Sequence, residues 1–294
     1  MRVAILHQVL ESYEQAMVVL FAERGVQAQL LDVRRTTVDD LRGYDCVFNR
    51  VYASVANRNL RDVMTALALV EQAEAEGIWC VNGLAAARAD YSKTISTERM
   101  LAAGVSTPAC IKVESASDID GAVVFMQEHG SPVVVKPDLG GRAVDVTLAF
   151  DEPSLVQRLT ECLAGPRPVW CVQQFVKSVE PFDIRVMVID GQVDQLYGRQ
   201  LVSAGDEAPW IGSGALGSTA VELDPPQEWI DLAVRATVVI DALVNELDMI
   251  VTIDGPCVIE NNPTPSFAML TEPRMASFAD ALVAMLRRHR TGAA

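Results

Sequence analysis

One stretch of this chain admits few folds. Leu247-Asp248-Met249-Ile250-Val251-Thr252-Ile253 and Val258-Ile259-Glu260-Asn261-Asn262-Pro263 flank Asp254-Gly255. Two apolar, β-branched runs around Asp-Gly are a strong hairpin signal. A hairpin brings its outer ends together, so Asp248 meets Glu260 and Asn262. Glu260 and Asn262 are two apart and share one face of a strand. Two carboxylates and one amide oxygen therefore converge. They are hard oxygen donors, the kind Mg2+ takes when it also holds phosphate oxygens. A solvated hairpin with incidental acids accounts for the same pattern, so the rest of the chain has to arbitrate.

The chain is long enough, at 294 residues with half of them hydrophobic, for one large domain or two to three small ones. No apolar run reaches membrane-spanning length, and Met1–His7 reads as a first strand rather than a signal peptide. Six cysteines at unpaired spacings, most in apolar stretches, read as buried free thiols in a reducing cytoplasm. The net charge of −15 argues against nucleic acid. An anionic ligand must therefore meet a local basic cluster against an unfavourable overall field. The three histidines, His7, His129 and His289, are too scattered for a histidine metal site.

Residues 1–88 alternate strands and helices. Strands are expected at Arg2–His7, Val26–Val33, Asp45–Asn49 and Ile78–Asn82, with helices at Glu11–Arg24 and Leu60–Glu76. This βαβ pattern implies a mostly parallel sheet covered by helices. No G-x-G-x-x-G turn follows the first strand, which disfavours a dinucleotide site there. Arg34, Arg35, Arg50, Arg58 and Arg61 form the densest positive stretch, mostly a solvated one, with some candidates to line a cleft.

Further on, a helix is expected over Ala89–Ala103 with Lys93 in its first half, a strand over Ala109–Val113, and a helix over Asp118–His129 capped by Ser117. Pro132–Lys136 is a β-branched strand that delivers Lys136 beside the loop containing Gly140 and Gly141. Lysines in such places hold phosphates, because glycine lets backbone N–H groups approach the oxygens. It is not a Walker A loop, and a turn with a surface lysine has the same sequence. Trp170–Val176 is a strand after the helix Leu155–Leu163. Pro181–Val193 and Asp194–Leu201 form a hairpin that makes Arg185 and Arg199 candidate cross-strand neighbours. Two adjacent arginines call for an anion between them, or for pairing with Asp183 or Asp194. Ser203–Ser218 is a Gly- and Ser-rich loop with Trp210 inside, and Pro225–Glu246 reads as a helix of about six turns. A closing helix is expected from about Ser277 within Phe267–Arg290, its cationic end suited to the helix dipole.

Taken together, this order of parts resembles the ATP-grasp superfamily, most closely the RimK/LysX-like carboxylate–amine ligases, over essentially the whole chain. The resemblance implies an ATP-grasp fold of α/β and α+β units: an N-terminal pre-ATP-grasp α/β domain over 1–88, a central subdomain over 89–178 and a C-terminal subdomain over 179–294. It implies that Lys93, Lys136, Gly140 and Gly141 hold ATP phosphates. Gln174, Phe175 and Val176 match the hinge that reads adenine through its backbone, and Asp183 matches the acid on the ribose. Arg185 and Arg199 match the catalytic arginines on the transferred phosphate. Asp248, Glu260 and Asn262 match the ligands of two Mg2+ ions, for which Mn2+ is an alternative.

The match has departures. Gln174 stands where the family usually has Glu, and the loop Gly140–Val144 is less glycine-rich than usual. The LysX pattern W-I-T-N-x-x-R-G-G reads here Trp210-Ile211-Gly212-Ser213-Gly214-Ala215-Leu216-Gly217-Ser218, with Ser213 for Asn and Leu216 for Arg. Ser213 stays in the nucleotide-binding set, while substrate identity departs from lysine biosynthesis and ribosomal-protein glutamylation. The resemblance implies a cytoplasmic homo-oligomer, dimer or tetramer, that joins a small-molecule or peptide carboxylate to an amine through an acyl phosphate, releasing ADP and phosphate. It has no nucleic-acid or membrane partner. The alternatives are a kinase or phosphotransferase of the same fold, or a non-catalytic nucleotide-binding regulator.

Overall fold

The computed structural model describes residues 1–203, 205, 207–266 and 272–291. The chain opens with β1 (Arg2–His7), α1 (Ser12–Glu23), β2 (Gln27–Asp32), α2 (Val38–Leu41), β3 (Cys46–Asn49), α3 (Leu60–Ala75) and β4 (Cys80–Val81). The four strands form the expected parallel sheet, in the order β2-β1-β3-β4. Alternation along β1 splits its side chains between two cores. Val3 and Ile5 pack with Met17 and Phe21 of α1, while Ala4 and Leu6 pack with Val63, Ala66 and Val70 of α3.

Next come α4 (Leu84–Asp90), α5 (Lys93–Ala102), β5 (Cys110–Val113), α6 (Ile119–His129), β6 (Val133–Pro137), β7 (Thr147–Ala149), α7 (Glu152–Leu163) and β8 (Trp170–Gln174). The single helix expected over Ala89–Ala103 is two, broken at Tyr91-Ser92. Ser92 caps α5 by accepting the Ile95 N–H at 3.2 Å, so Lys93 opens a helix instead of lying within one. Ser117 is likewise not a cap: Ser115 and Asp118 form a capping box on a 3-10 turn ahead of α6. The strands make an antiparallel sheet, β5-β8-β6-β7, packed under α6 and α7 through Phe125, Leu155 and Leu159.

The remainder is β9 (Phe182–Ile189), β10 (Gln192–Gln200), β11 (Ala220–Val221), α8 (Gln227–Val239), β12 (Val244–Thr252), β13 (Gly255–Asn262) and α9 (Glu272–Thr291). The long helix expected over Pro225–Glu246 ends early. Asp241 takes a left-handed φ of 60°, the chain turns, and Val244-Asn245-Glu246 open β12. The closing helix starts at Glu272, before Ser277, while Phe267 lies outside the described residues. The five strands run β11-β10-β9-β12-β13, all antiparallel. One face of this sheet, with Ile184, Val186, Leu247 and Met249, packs on α8 and on Met100 and Val105 at the end of α5. From the other face Met187, Ile189 and Val244 join Phe278, Leu282 and Leu286 of α9 in the core beneath β1 and α1.

Asn82 joins the first and last sheets. Its Nδ2 donates to the Val244 and Pro263 carbonyls, both at 2.7 Å, and its Oδ1 accepts the N–H groups of Leu243 and Val244 at 2.8 and 2.9 Å. All six cysteines are free thiols, five of them buried. Among the described residues no helix is long and apolar enough to cross a membrane.

Candidate active site

The three sheets surround a cavity of about 630 Å³, and every nucleotide-binding, catalytic and metal residue that the resemblance implied lines it. β6 carries Lys136 to the wall. Two residues on, Asp138 ties β6 to α5: its carbonyl accepts the Lys93 N–H at 3.1 Å, and its carboxylate accepts the Thr94 N–H at 2.8 Å and the Ser92 hydroxyl at 2.7 Å. Acceptors at a helix N-terminus satisfy its orphan N–H groups. Lys93 Nζ then reaches the Gly140 carbonyl at 3.0 Å and Glu260 Oε1 at 3.1 Å.

The glycine loop is folded down onto the N-terminal sheet's side. Asn57 Nδ2 donates to the Gly141 carbonyl at 3.0 Å, and a Cβ on Gly141 would lie 3.1 Å from that of Ser54. Arg142 and Ala143 both have left-handed φ, and Arg142 pairs with Glu11 at 3.5 Å. None of the early arginines, Arg34, Arg35, Arg50, Arg58 or Arg61, lines the cavity. Arg50 is instead buried, donating to the Tyr52 hydroxyl.

At the hinge, Gln174 ends β8, and Phe175 and Val176 follow as irregular chain. Phe175 meets Trp210 edge-on, ring centroids 5.9 Å apart, linking the hinge to the 203–218 loop. Ser213 in that loop is buried, and its N–H donates to Ser218 Oγ at 2.8 Å.

The arginines are arranged differently from the simplest expectation. Arg185 stands opposite Tyr197 and Arg199 opposite Asp183, so the two arginines are diagonal neighbours on one face. Both Asp183 oxygens engage Arg199, with Nε to Oδ1 at 3.0 Å and Nη2 to Oδ2 at 2.5 Å. Asp183 thus stands in the cavity wall as the partner of Arg199. Asp248 bridges the pair, bonding Arg185 Nη1 and, at 3.2 Å, Arg199 Nη2.

Hairpin register puts Asp248 directly opposite Glu260, and Glu246 opposite Asn262, on the cavity face. The turn is Ile253-Asp254, with Gly255 at φ 108° opening β13. The Asn262 Nδ2 donates to the Glu246 carbonyl at 3.2 Å, which leaves its Oδ1 as an acceptor beside Glu260. That donor set fits Mg2+. Among the described residues no cluster of three or more His, Cys, Asp or Glu groups is arranged for a metal; the set at hand is two carboxylates and an amide.

Burial and pairing divide the titrations. Burial works to raise the Asp248 carboxyl, but Arg185 and Arg199 override it and hold the group below its ordinary range. For Asp183 and Glu246 burial wins and both are raised. Burial disfavours the Lys93 ammonium, yet Glu260 keeps its pKa above normal.

Sequence reasoning missed two acids. Glu246, 2% exposed, pairs with Arg185 at 3.1 Å, so the guanidinium is clamped between two carboxylates. Asp90, 8% exposed at the end of α4, accepts the Thr264 hydroxyl at 2.6 Å. The signal for Glu246 was its spacing of two from Asp248 along a strand; Asp90 had none beyond its closeness to Lys93.

The family comparison agrees with this geometry. Residues 91–286 match the RimK-like ATP-grasp domain. The chain belongs to the RimK-like ATP-grasp family. A probable alpha-L-glutamate ligase of Thioalkalivibrio sulfidiphilus is 27% identical, the match covering 99% of this chain and 98% of that one. The RimK domain ATP-grasp protein of Sphaerobacter thermophilus superposes with a TM-score of 0.72 at 19% identity, over 97% of this chain and 99% of that one. The ATP complex of D-alanine–D-alanine ligase from Bacillus anthracis superposes at 0.70 and 15%, over 100% and 99%. As a RimK-like ATP-grasp protein, the chain is an ATP-dependent carboxylate–amine ligase.

Proposed function

We propose that this RimK-like protein activates the carboxyl group of an amino acid or peptide as an acyl phosphate and joins it to an amine, with L-glutamate on at least one side of the bond. The names of its relatives support glutamate. In this reading residues 1–88, 89–178 and 179–294 are the three working units.

The observation that carries the reading is Lys136. It is 6% exposed, lines the cavity, and makes no hydrogen bond or ion pair among the described residues. A buried ammonium without a counter-charge is costly unless a ligand supplies one. Phosphate oxygens of ATP are that ligand, with Lys93 on their other side.

A carboxylate resists attack because its charge is delocalised. Transfer of the ATP γ-phosphate to its oxygen makes a carbonyl that an amine can attack. Negative charge grows on the transferred phosphate and then on the tetrahedral carbon's oxygen. Arg185 and Arg199, fixed beforehand by Glu246, Asp248 and Asp183, meet that charge without reorganising. Asp248, Glu260 and Asn262 would hold two Mg2+ ions, or Mn2+ in their place, which would supply further neutralisation of the phosphates. The glycine loop over Ser54 and the Trp210 loop against Phe175 keep water from the acyl phosphate.

Incubation with ATP, Mg2+ and L-glutamate should release ADP and give a product heavier by one glutamyl unit, seen by mass spectrometry. Hydroxylamine should divert the reaction to a hydroxamate. ADP release that never yields a hydroxamate, whatever acid is supplied, overturns the ligase reading in favour of a phosphotransferase.

A further inference from the structure

Acids and bases in the cavity wall are almost all spoken for. Glu11 pairs with Arg142, Asp183 with Arg199, Glu246 and Asp248 with Arg185, and Glu260 with Lys93. Among the described lining residues two charged groups are left without an ion pair: the cation Lys136 and the anion Asp90. Lys136 is assigned to phosphate above. Asp90 asks for the opposite kind of ligand.

Its placement is unfavourable for stability on two counts. Asp90 is the last residue of α4, where the helix dipole disfavours a negative charge. It is also buried, with one hydrogen bond to its side chain among the described residues, from Thr264 Oγ1 to Oδ2. Its Oδ1 is left for a ligand in the cavity. Thr264 belongs to the segment that follows Asn262, so Asp90 lies beside the end of β13.

We infer that Asp90 receives the amine substrate, binding its ammonium group and taking one of its protons. This rests on the ligase reading. The amine arrives as R–NH3+ and is no nucleophile until one proton passes to the Asp90 carboxylate. The freed nitrogen lone pair then forms the C–N bond to the acyl carbon. The C–O bond to phosphate breaks, phosphate leaves with that electron pair, and it carries away the second proton. The third stays on the amide. Burial lifts the Asp90 carboxyl to about 7, against the hydrogen bond from Thr264 and the charges of Lys93 and Arg50 and with that of Glu260. A proton acceptor tuned near the working pH suits this role.

The test separates the two half-reactions. Hydroxylamine is neutral at pH 7 and needs no proton acceptor to attack an acyl phosphate. With ATP, Mg2+ and L-glutamate, Asp90→Asn should form hydroxamate at the wild-type rate. Its amide formation at pH 7 should fall roughly a hundredfold or more, with part of the loss recovered at pH 9, where the free amine is abundant. Thr264→Val, which removes the hydroxyl held by Asp90, should lower amide formation about tenfold with hydroxamate intact. Amide formation within threefold of wild type in Asp90→Asn overturns the inference, as does an equal loss of both products. Should Asp90→Asn fail to fold, the Thr264→Val split decides in the same way. A wild type that makes neither product from L-glutamate rules out glutamate as the activated acid alone, and the paired assays then use the acid and amine that do release ADP.

Discussion

Gly212 lies so close to Asp183 that a Cβ built on it would fall 1.9 Å from Oδ2. The carboxylate cannot step aside, because both its oxygens hold Arg199. Gly212→Ala should therefore cost about 1–3 kcal/mol, the range for overpacking a buried site, and should displace Arg199. Urea unfolding and turnover should both show the loss. An alanine enzyme as stable and active as wild type would contradict the packing described.

Lys136→Met removes a buried charge that has no partner among the described residues and keeps all but the last atom of the side chain's length. Nucleotide affinity, read by calorimetry, should fall about 10- to 100-fold, the worth of one charge-assisted contact. The ligand-free protein should melt no lower than wild type. A lower melting temperature with full nucleotide affinity would make Lys136 structural.

Glu260→Gln and Asn262→Ala should each abolish turnover, by roughly a hundredfold or more if metal neutralisation is worth several kcal/mol. Both should leave the circular dichroism spectrum unchanged. Asp248→Asn should behave likewise and additionally destabilise the fold, since it removes the charge between Arg185 and Arg199. Titration of Mg2+ against turnover should show the dependence shifted or lost in all three.

The Asp90 carboxyl is raised by burial from the usual carboxylate range to about 7. Between about pH 4 and pH 7 the folded state thus keeps a proton that the unfolded chain has released. Its contribution to stability is present at low pH and is lost as pH rises through that window. The melting temperature of Asp90→Asn relative to wild type should be lowest near pH 4 and should rise up to pH 7. A difference that does not change with pH would mean that the carboxyl titrates normally.

Asn82→Ala deletes four hydrogen bonds of the first sheet, three to Leu243 and Val244 at the start of β12 and one to the Pro263 carbonyl just past β13. Leaving buried backbone groups unpaired should cost about 3 kcal/mol or more. Denaturant unfolding should show it.

Local chemistry made much of this legible from sequence. The hairpin signal around Asp254-Gly255 put Asp248 against Glu260, and the register bears it out. Lys136 was placed by a β-branched strand and a glycine loop, both of which stand. What stayed hidden depended on where elements end. Apolar residues at 236–244 continue a helical period, so Val244–Glu246 read as helix. Only the left-handed turn at Asp241 turns them into strand and sets Glu246 beside Asp248. Asp90 was invisible for another reason. Its meaning comes from Thr264, 174 residues away, and from the pairing of every other acid around it. The diagonal offset of Arg185 and Arg199 likewise depends on a shift between Val193 and Gln195 that no composition rule places.

Asp138 has a consequence for the order of events. It splices the start of α5 to the end of β6, while Met100 and Val105 root α5 in the core of the last sheet. In their proposed roles Lys93 and Lys136 consequently form a single jaw whose spacing is set before ATP arrives. The covering segments are anchored elsewhere, on Ser54, Asn57 and Phe175. On that proposal nucleotide capture and nucleotide enclosure are separable acts: the first needs no motion between the two lysines, and the second falls to the loops alone.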